Sequence, residues 1–330
     1  MQVKHLQNNM DKNYLKMAGN IHLSYFLEAA DKLGIKYKVI IPHMTARFEV
    51  GNAHWFINNT AIPLNNAPSC RLAKAKHLAS LILADANIPV PKQRRLTSEI
   101  DAISFFGQYK NIVIKPSQNL GGHGVSVLPK DEQEVIESYK FAKEHDKHSR
   151  VLGEEFIHGD NFRLLVLGDK VISVIKRNPA QVIGDGISNI GKLIEVENER
   201  RKDKYLMTIK IDPELMHKLD AQGLTLETIP ESSKIVVLRS NANMTTGGTT
   251  QEVKSVDPYY KELAIQSTKA LDLVYGGVDL ITTDISTKVK CAINEVNYNP
   301  GLRLHYMVEN GTPIDVAYII LEYIKEIYTK

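Results

Sequence analysis

The sequence predicts a protein of mixed helices and strands that is organised as three lobes. The chain has 330 residues, of which 43% are hydrophobic, so it is long enough to bury more than one core. Segments with apolar residues at helical spacing are followed, along the whole chain, by short apolar runs that are typical of strands. The sequence shows no repeat, coiled coil or low-complexity tract.

The first lobe is predicted over residues 1–73 and combines one helix with two strands. Residues 21–33 carry apolar side chains at helical spacing, and Gly34 follows as a typical helix stop. Residues 37–41 are predicted to form a buried strand, and residues 52–58 a second extended segment.

The second lobe is predicted over residues 74–150 and begins with a helix over residues 74–87, which the proline pair of IPVP ends. The apolar face of this helix is expected to consist of Leu78, Leu81, Ile82 and Ala86. The elements that follow are a strand (111–115), a glycine-rich turn (121–124), a second strand (125–128) and an N-capped acidic helix (131–144).

The third lobe is predicted over residues 151–330. Its expected strands are 151–157, 162–167, 170–176, 234–239, 277–282 and 293–297. Its expected helices are 213–221, 258–271 and 312–327. The segment 178–198 is rich in glycine and polar residues, which predicts an irregular, mobile loop.

The composition excludes several classes of protein. A formal charge of +3 from 41 basic and 38 acidic residues provides no polybasic field, so neither nucleic acid nor a membrane surface is an expected partner. Cys70 and Cys291 are too few and too distant in sequence for a disulfide framework or a cysteine zinc site. The polar N-terminus and the lack of a run of about 18 apolar residues argue against secretion and membrane insertion. We therefore expect a cytoplasmic protein.

The segment INEVNYNPG, residues 293–301, is the most informative motif. Glu295 and Asn297 are two residues apart on a predicted strand, so their side chains lie on the same face. Together with Asp279 on the preceding strand, they offer the carboxylate and amide oxygens that Mg²⁺ prefers. The alternative is a strand that ends in an Asn-Pro-Gly turn with polar residues on its wet face and Asp279 paired to a lysine.

Two lysines are candidate phosphate ligands. Lys115 ends a strand just before a glycine-rich run, and glycines allow backbone amides to approach phosphate oxygens. This run matches neither GxxxxGK[ST] nor GxGxxG, and an ordinary glycine hairpin is the alternative. Lys76 lies in the first turns of a predicted helix, where a solvated charge is the alternative.

The turn GEEFIHGDNFRL between two predicted strands is a candidate nucleoside contact. Such a connection can offer backbone groups to an adenine edge, and a carboxylate just after it can accept hydrogen bonds from ribose hydroxyls. Its polar residues are Glu154, Glu155, Asp160 and Asn161, placed around Ile157. A polar hairpin without a ligand is the alternative.

Two arginines are candidate clamps for an anionic group. Arg239 ends a predicted strand and Arg303 follows the INEVNYNPG segment. The planar guanidinium group matches carboxylate and phosphate oxygens, although either residue could instead form a surface ion pair.

Taken together and in this order, these motifs resemble the ATP-grasp superfamily, specifically the ATP-grasp module of cyanophycin synthetase and of the bifunctional glutathione synthetases. The similarity extends over residues 74–305, which is most of the chain. Its most specific part is the run RNPAQVIGDG, which is followed further along by LRSNANMTTGG.

The resemblance implies an α+β ATP-grasp fold, in which two α+β lobes clasp ATP beside a small α/β N-terminal lobe. It also implies a role for each matching residue. The implied ATP contacts are Lys76 and Lys115 with Gly121, Gly122 and Gly124 at the phosphates, Glu154, Glu155 and Ile157 at the adenine, and Asp160 at the ribose. The implied metal ligands are Asp279, Glu295 and Asn297, the implied catalytic residues Arg239 and Lys115, and the implied substrate contacts Arg163, Arg177, Arg303 and His305.

The activity that the resemblance implies is ATP-dependent joining of a carboxylate to an amine through an acyl phosphate, with an amino acid or peptide as substrate. The implied cofactors are ATP and two Mg²⁺ ions, which Mn²⁺ is expected to replace, and the expected assembly is a homo-oligomer such as a dimer. The chain lacks matches to the other large domains of cyanophycin synthetase and of the bifunctional enzymes, so a stand-alone ligase is expected. Three alternatives stay open: another class of ATP-grasp ligase, a nucleotide-binding regulatory protein without ligase activity, and an enzyme that modifies a carrier protein or peptide terminus.

Overall fold

The N-terminal region of the chain forms two helices and a small sheet. The structure is a computed structural model that describes residues 12–117, 124–203 and 206–329. The first elements are α1 (Lys12–Ala18), α2 (Ile21–Leu33), β1 (Lys36–Ile41), β2 (Thr45–Val50) and β3 (Ala53–Asn58). The strands pair as an antiparallel sheet in the order β1-β2-β3. Helix α2 has the predicted bounds, because the Asn20 side chain caps its first turn and Gly34 adopts the left-handed conformation at its end.

The helix predicted over residues 74–87 is observed as α4 (Lys76–Asp85), and a separate helix that was not predicted, α3 (Ala67–Lys74), comes directly before it. The predicted apolar face of α4 was wrong for Leu78, Leu81 and Ala86, which are exposed, although Ile82 does pack against the core. The buried residues of the helix are Ala79 and Leu83. Ala79 and Leu83 are one turn apart and pack into the core beside the large sheet described below. The small alanine allows the helix to approach that core closely.

A four-stranded antiparallel sheet and two helices form the next unit. Its elements are β4 (Gln93–Leu96), α5 (Glu99–Tyr109), β5 (Ile112–Pro116), β6 (Ser126–Val127), α6 (Glu132–Glu144) and β7 (Val151–Glu155). The strand order is β4-β7-β5-β6. Strand β4 and helix α5 were not predicted. Strand β7 belongs to this sheet, so the prediction that it opens the third lobe was wrong, and the boundary predicted after residue 150 lies one strand too early.

Strands β8 (Asp160–Leu167) and β9 (Lys170–Asn178) lead into an insertion with a core of its own. The insertion contains β10 (Gln181–Ile183), α7 (Ile190–Asp203), α8 (Pro213–Asp220) and β11 (Ile235–Val237). The prediction of an irregular loop over residues 178–198 was therefore wrong. Ile190 and Ile194 lie one turn apart on α7 and are buried, which favours a helix over the loop that the glycine content suggested.

The remaining elements complete a five-stranded antiparallel sheet and its helices. They are β12 (Thr249–Glu252), α9 (Pro258–Ala270), β13 (Tyr275–Thr282), β14 (Cys291–Asn297), α10 (Arg303–Tyr306) and α11 (Val316–Thr329). The strand order is β12-β9-β8-β13-β14. Helix α11 begins four residues later than the predicted start at residue 312.

The central strand β8 shows how the sheet positions the functional residues. Leu164 and Val166 point into the core that includes α4 and α9, whereas Leu165 and Leu167 point into the core that includes α2, the small N-terminal sheet and α11. The N-terminal region thus covers one face of the large sheet, and Arg163 lies on that same face. Within the described residues, no helix is long and apolar enough to cross a membrane.

Candidate functional site

The polar side chains of the candidate site converge where β8, β13 and β14 lie side by side. In the strand register, Asp279 is opposite Arg163 on one side and opposite Glu295 on the other. The register of β14 shifts between Asp279 and Leu280, where Asn294 is the additional residue. This bulge keeps the apolar residues on both sides of it in the core while Glu295 and Asn297 share the face of Asp279.

Asp279 is buried and is held by two arginines. Arg163 donates to its carboxylate from Nε at 2.5 Å and from Nη2 at 2.9 Å, and Arg177 donates from Nη1 at 3.1 Å. The amide nitrogen of Asn297 lies 3.4 Å from the same carboxylate. Burial raises the pKa of Asp279, but the two guanidinium groups outweigh this effect, so its pKa is lowered and it is ionised at neutral pH.

Glu295 is more accessible than Asp279 and pairs with a lysine. The Lys76 ammonium lies 3.3 Å from its carboxylate, and 41% of the Lys76 side chain and 25% of the Glu295 side chain are exposed. Lys76 is the first residue of α4. Two predicted site residues that are 219 positions apart in the sequence are therefore neighbours.

Lys115 belongs to the four-stranded sheet and has a different partner. Its ammonium lies 2.8 Å from the carboxylate of Glu154, which also accepts a hydrogen bond from Gln93. The predicted adenine contact Glu154 thus directs its side chain to the lysine. Glu155, the other predicted carboxylate here, accepts from the backbone N–H of Lys92. The sequence reasoning missed Gln93, since nothing in its local pattern distinguishes it.

The other predicted ATP contacts are placed only in part. Asp160 pairs with Lys176 at 2.6 Å, and Ile157 lies partly exposed in the connection between β7 and β8. Gly124 has a φ of 75°, and a Cβ there would lie 2.6 Å from the Cβ of His145, so the position requires glycine. The predicted phosphate-loop residues Gly121 and Gly122 lie outside the described residues.

Arg239 lies in the insertion, and its ion-pair partners are not among the predicted site residues. It is only 3% exposed and donates to Glu214 at 2.6 Å and to Asp212 at 2.7 Å. Asp212 caps α8, so Arg239 ties the end of β11 to the start of that helix. The segment after Arg239 does reach the site, because the carbonyl of Ala242 accepts a hydrogen bond from Nε of Arg177.

His305 and Arg303 follow β14 and lie under the N-terminal region. His305 is buried, and its Nδ1 lies 2.7 Å from the hydroxyl of Ser173. Burial, with a further contribution from the charge of Arg163, lowers the pKa of His305 to about 3. Its Nε2 is buried and has no hydrogen-bond partner among the described residues.

The N-terminal region contributes a residue that the sequence reasoning missed. His22 of α2 accepts a hydrogen bond from the backbone N–H of Leu302 at 3.3 Å. Burial and the nearby charge of Arg303 lower the pKa of His22 to about 4. No local signal could have identified His22, because the contact joins parts of the chain that are 280 residues apart.

The donor set of the site is suited to a hard cation. Among the described residues there is no group of three His, Cys, Asp or Glu side chains that could hold a metal ion. The predicted site consists instead of two carboxylates on adjacent strands and the amide of Asn297 on the same face. Oxygen donors of this kind fit Mg²⁺, and the nearby arginines and Lys76 favour an anionic partner beside it.

Comparison with known proteins agrees with this geometry. Residues 231–324 match the family model of the RimK-like ATP-grasp domain. The crystal structure of a bifunctional glutathione synthetase from Pasteurella multocida superimposes with a TM-score of 0.68 at 24% identity, covering 93% of this chain and 45% of that one. The chain has the ATP-grasp fold. The α+β fold class predicted from the sequence is thereby confirmed.

Two groups of curated proteins resemble the sequence of this ATP-grasp chain. The bifunctional glutathione biosynthesis protein of Listeria monocytogenes serotype 4b is 34% identical over 295 residues, which is 85% of this chain and 38% of that protein. Cyanophycin synthetase of Crocosphaera subtropica is 35% identical over 263 residues, which is 76% of this chain and 30% of that enzyme. Both resemblances were predicted from the motifs and are confirmed. The chain thus spans well under half of the length of these relatives.

Proposed function

We propose that the protein is an ATP-dependent ligase that joins a carboxylate to an amine through an acyl phosphate, with an amino acid or peptide as substrate. The observation that carries this proposal is the placement of Asp279, Glu295 and Asn297 on one face of adjacent strands, with Lys76 beside them. The similarity to glutathione and cyanophycin synthetases over most of the chain supports the same chemistry.

The reaction requires little covalent chemistry from the protein. The substrate carboxylate attacks the γ-phosphate of ATP to form the acyl phosphate and ADP; the amine then attacks the acyl carbon, and phosphate leaves as the amide forms and the amine loses a proton. Positioning and charge neutralisation dominate such phosphoryl transfers. A protein nucleophile is not needed.

Different residues of the site would bind the metal ions, the phosphates and the nucleoside. Asp279, Glu295 and Asn297 would hold two Mg²⁺ ions, replaceable by Mn²⁺, which neutralise the phosphate oxygens. Lys76 and Lys115 would contact the phosphates as point charges. The glycine-rich segment that contains Gly124 would cover the phosphates, with Glu154, Glu155, Ile157 and Asp160 around the nucleoside.

The substrates would lie beside the metal, between the large sheet and the N-terminal region. Arg303 and His305 would contact the substrates there, next to His22, which accepts a hydrogen bond from Leu302, while Arg163 and Arg177, which hold Asp279, would contact them from the side of the metal. Arg239 is buried in ion pairs, so in this proposal it acts by fixing the insertion, whose residue Ala242 contacts Arg177. We further propose a cytoplasmic homodimer whose first lobe ends near residue 73 and whose second lobe ends after β7.

The experiment that tests the proposal is a screen for ADP release over paired carboxylates and amines, followed by mass analysis of the products. The expected result is ADP and an amide product for at least one amino acid or peptide pair. Glu295→Gln should abolish ADP release, while Glu49→Gln on the exposed face of β2 should not change it. ATP binding without ADP release for any pair would overturn the ligase proposal and favour a regulatory nucleotide-binding protein.

A further inference from the structure

The ion pair between Lys76 and Glu295 joins two residues that the proposed function assigns to different ligands. Lys76 would bind a phosphate and Glu295 a divalent cation, yet their side chains lie 3.3 Å apart. We infer that Lys76 takes the place of the divalent cation at Glu295 when no nucleotide is bound, so that metal binds well only after a polyphosphate has drawn Lys76 away. This inference rests on the proposed function.

Because arginines already occupy the Asp279 carboxylate, Glu295 is the group for which cations compete. Both oxygens of Asp279 accept hydrogen bonds from arginines, and 12% of its side chain is exposed. Within the described part of the chain, Glu295 pairs only with Lys76, and it is the more exposed of the two carboxylates. A divalent cation that approaches from solvent would therefore contact Glu295 before Asp279. It would have to displace the Lys76 ammonium, which is bound to Glu295.

The strand register explains why a cation is needed at this position in the absence of metal. Asp279 and Glu295 are directly opposite each other on adjacent strands, where like charges repel. Arg163 and Arg177 pair with Asp279, and the charge of Arg163 also attracts Glu295, whereas Lys76 pairs directly with Glu295. Without Lys76 or a metal ion, the Glu295 carboxylate would lose this direct partner while it stays opposite the negative charge of Asp279.

The position of Lys76 also makes its ion pair with Glu295 easy to break. It is the first residue of α4, where a positive charge is unfavourable against the helix dipole, and the first turn of that helix contains no acidic residue and no side-chain cap. Its side chain is long and nearly half exposed, so it can turn towards an incoming phosphate without repacking a core. Among the described residues, Glu295 is the carboxylate with which Lys76 pairs, and the phosphate of a bound nucleotide would compete for the same ammonium group.

Competition of this kind couples metal and nucleotide. If the nucleotide removes Lys76 from Glu295, nucleotide binding strengthens metal binding, and by linkage metal binding strengthens nucleotide binding by the same factor. Lys76 then contributes a separable part of that coupling, beyond the direct contact between metal and phosphate.

The test measures Mn²⁺ binding to the full chain by the electron paramagnetic resonance signal of free Mn²⁺, with and without a non-hydrolysable ATP analogue. Without nucleotide, Lys76→Met should bind Mn²⁺ about fivefold more tightly than the unmodified chain, which corresponds to the upper end of what a half-exposed ion pair contributes. The gain in Mn²⁺ affinity on adding the analogue should be smaller for Lys76→Met by the same factor. Lys74→Met, which removes an exposed lysine two residues earlier, is the matched control and should behave like the unmodified chain.

A second variant separates this inference from the proposed function. Glu295→Gln should weaken Mn²⁺ binding in the presence of the analogue; if it does not, Glu295 is not a metal ligand and the proposed site is wrong. If Glu295→Gln weakens Mn²⁺ binding but Lys76→Met without nucleotide binds Mn²⁺ no better than the unmodified chain, the site stands and the competition is refuted. Undetectable Mn²⁺ binding by Lys76→Met without nucleotide counts against the inference in the same way.

Discussion

Two ion-pair clusters of this chain use the same residue types for different purposes. The Asp279 cluster consists of Asp279, Arg163 and Arg177, and the Arg239 cluster of Arg239, Asp212 and Glu214. In the first, the carboxylate is buried beside the accessible Glu295. In the second, the arginine is buried, and 37% and 41% of the carboxylate side chains are exposed.

The difference is consistent with the proposal that the Asp279 cluster, and not the Arg239 cluster, serves a ligand. A carboxylate whose pKa is held low by two arginines stays ionised where water is scarce, as a metal ligand requires. A buried arginine whose partners begin a helix fixes backbone segments to each other. The family resemblance implied a catalytic role for Arg239, and this role stays a prediction.

The largest expected effect is the loss of activity when Glu295, the proposed metal ligand next to Asp279, is replaced. Glu295→Ala should reduce ADP formation by about a thousandfold or more, because a lost metal ligand removes several kcal/mol of transition-state stabilisation. The melting temperature should change little, since Glu295 is partly exposed and contributes little to the core. Steady-state ADP release and thermal unfolding check both parts. Normal amide formation by this variant would refute the metal assignment.

The next largest effect is expected from removing one arginine of the Asp279 cluster. Arg163→Met should lower the free energy of unfolding by about 3 kcal/mol, because it leaves the buried Asp279 with only one of its two guanidinium partners. Urea unfolding monitored by circular dichroism measures this loss. A loss below about 1 kcal/mol would mean that Arg177 alone neutralises Asp279.

A pH-dependent effect is expected from the histidines near the Asp279 cluster. The pKa of His305 is about 3 in the folded chain and about 6.5 when unfolded, so as the pH falls below 6.5 only the unfolded chain binds the proton. The stability contribution of the neutral imidazole is complete above pH 6.5 and should decline by about 1.4 kcal/mol per pH unit below it. His22, with a pKa of about 4, adds a second decline of the same sign.

The measurement is urea unfolding between pH 7 and pH 5. His305→Gln should lose stability less steeply with falling pH than the unmodified chain, whatever its stability at pH 7. His54→Gln, at an exposed position of β3, should keep the original slope. Equal slopes for His305→Gln and the unmodified chain would show that His305 can be protonated in the folded state.

The smallest effect is expected at the Arg239 cluster. Arg239→Met should lower the free energy of unfolding by about 1 kcal/mol, because Asp212 and Glu214 are exposed enough to be solvated when the arginine is lost. Comparison with Arg163→Met in the same urea series tests the contrast directly. A larger loss for Arg239→Met would reverse the proposed ranking of the two clusters.

Local patterns predicted those elements whose signals are local. Helix α2 was predicted with its observed bounds because Gly34 stops it, and α6 was predicted because Asp131 caps its first turn. Prediction failed where packing decides. The buried face of α4 depends on the sheet that it contacts, and α7 is stabilised by the core of the insertion, which the glycine content of residues 178–198 does not reveal.

By itself, the sequence determined the fold class, the ATP-grasp resemblance, and the shared face of Glu295 and Asn297, since all three depend on local spacing and on motif order. Only the tertiary structure decided that Lys76 pairs with Glu295, that Lys115 pairs with Glu154, and that two arginines donate hydrogen bonds to Asp279. The physical reason is that these pairs depend on strand register and on how helices pack against sheets. Such contacts join residues far apart in sequence and leave no local periodicity that could predict them.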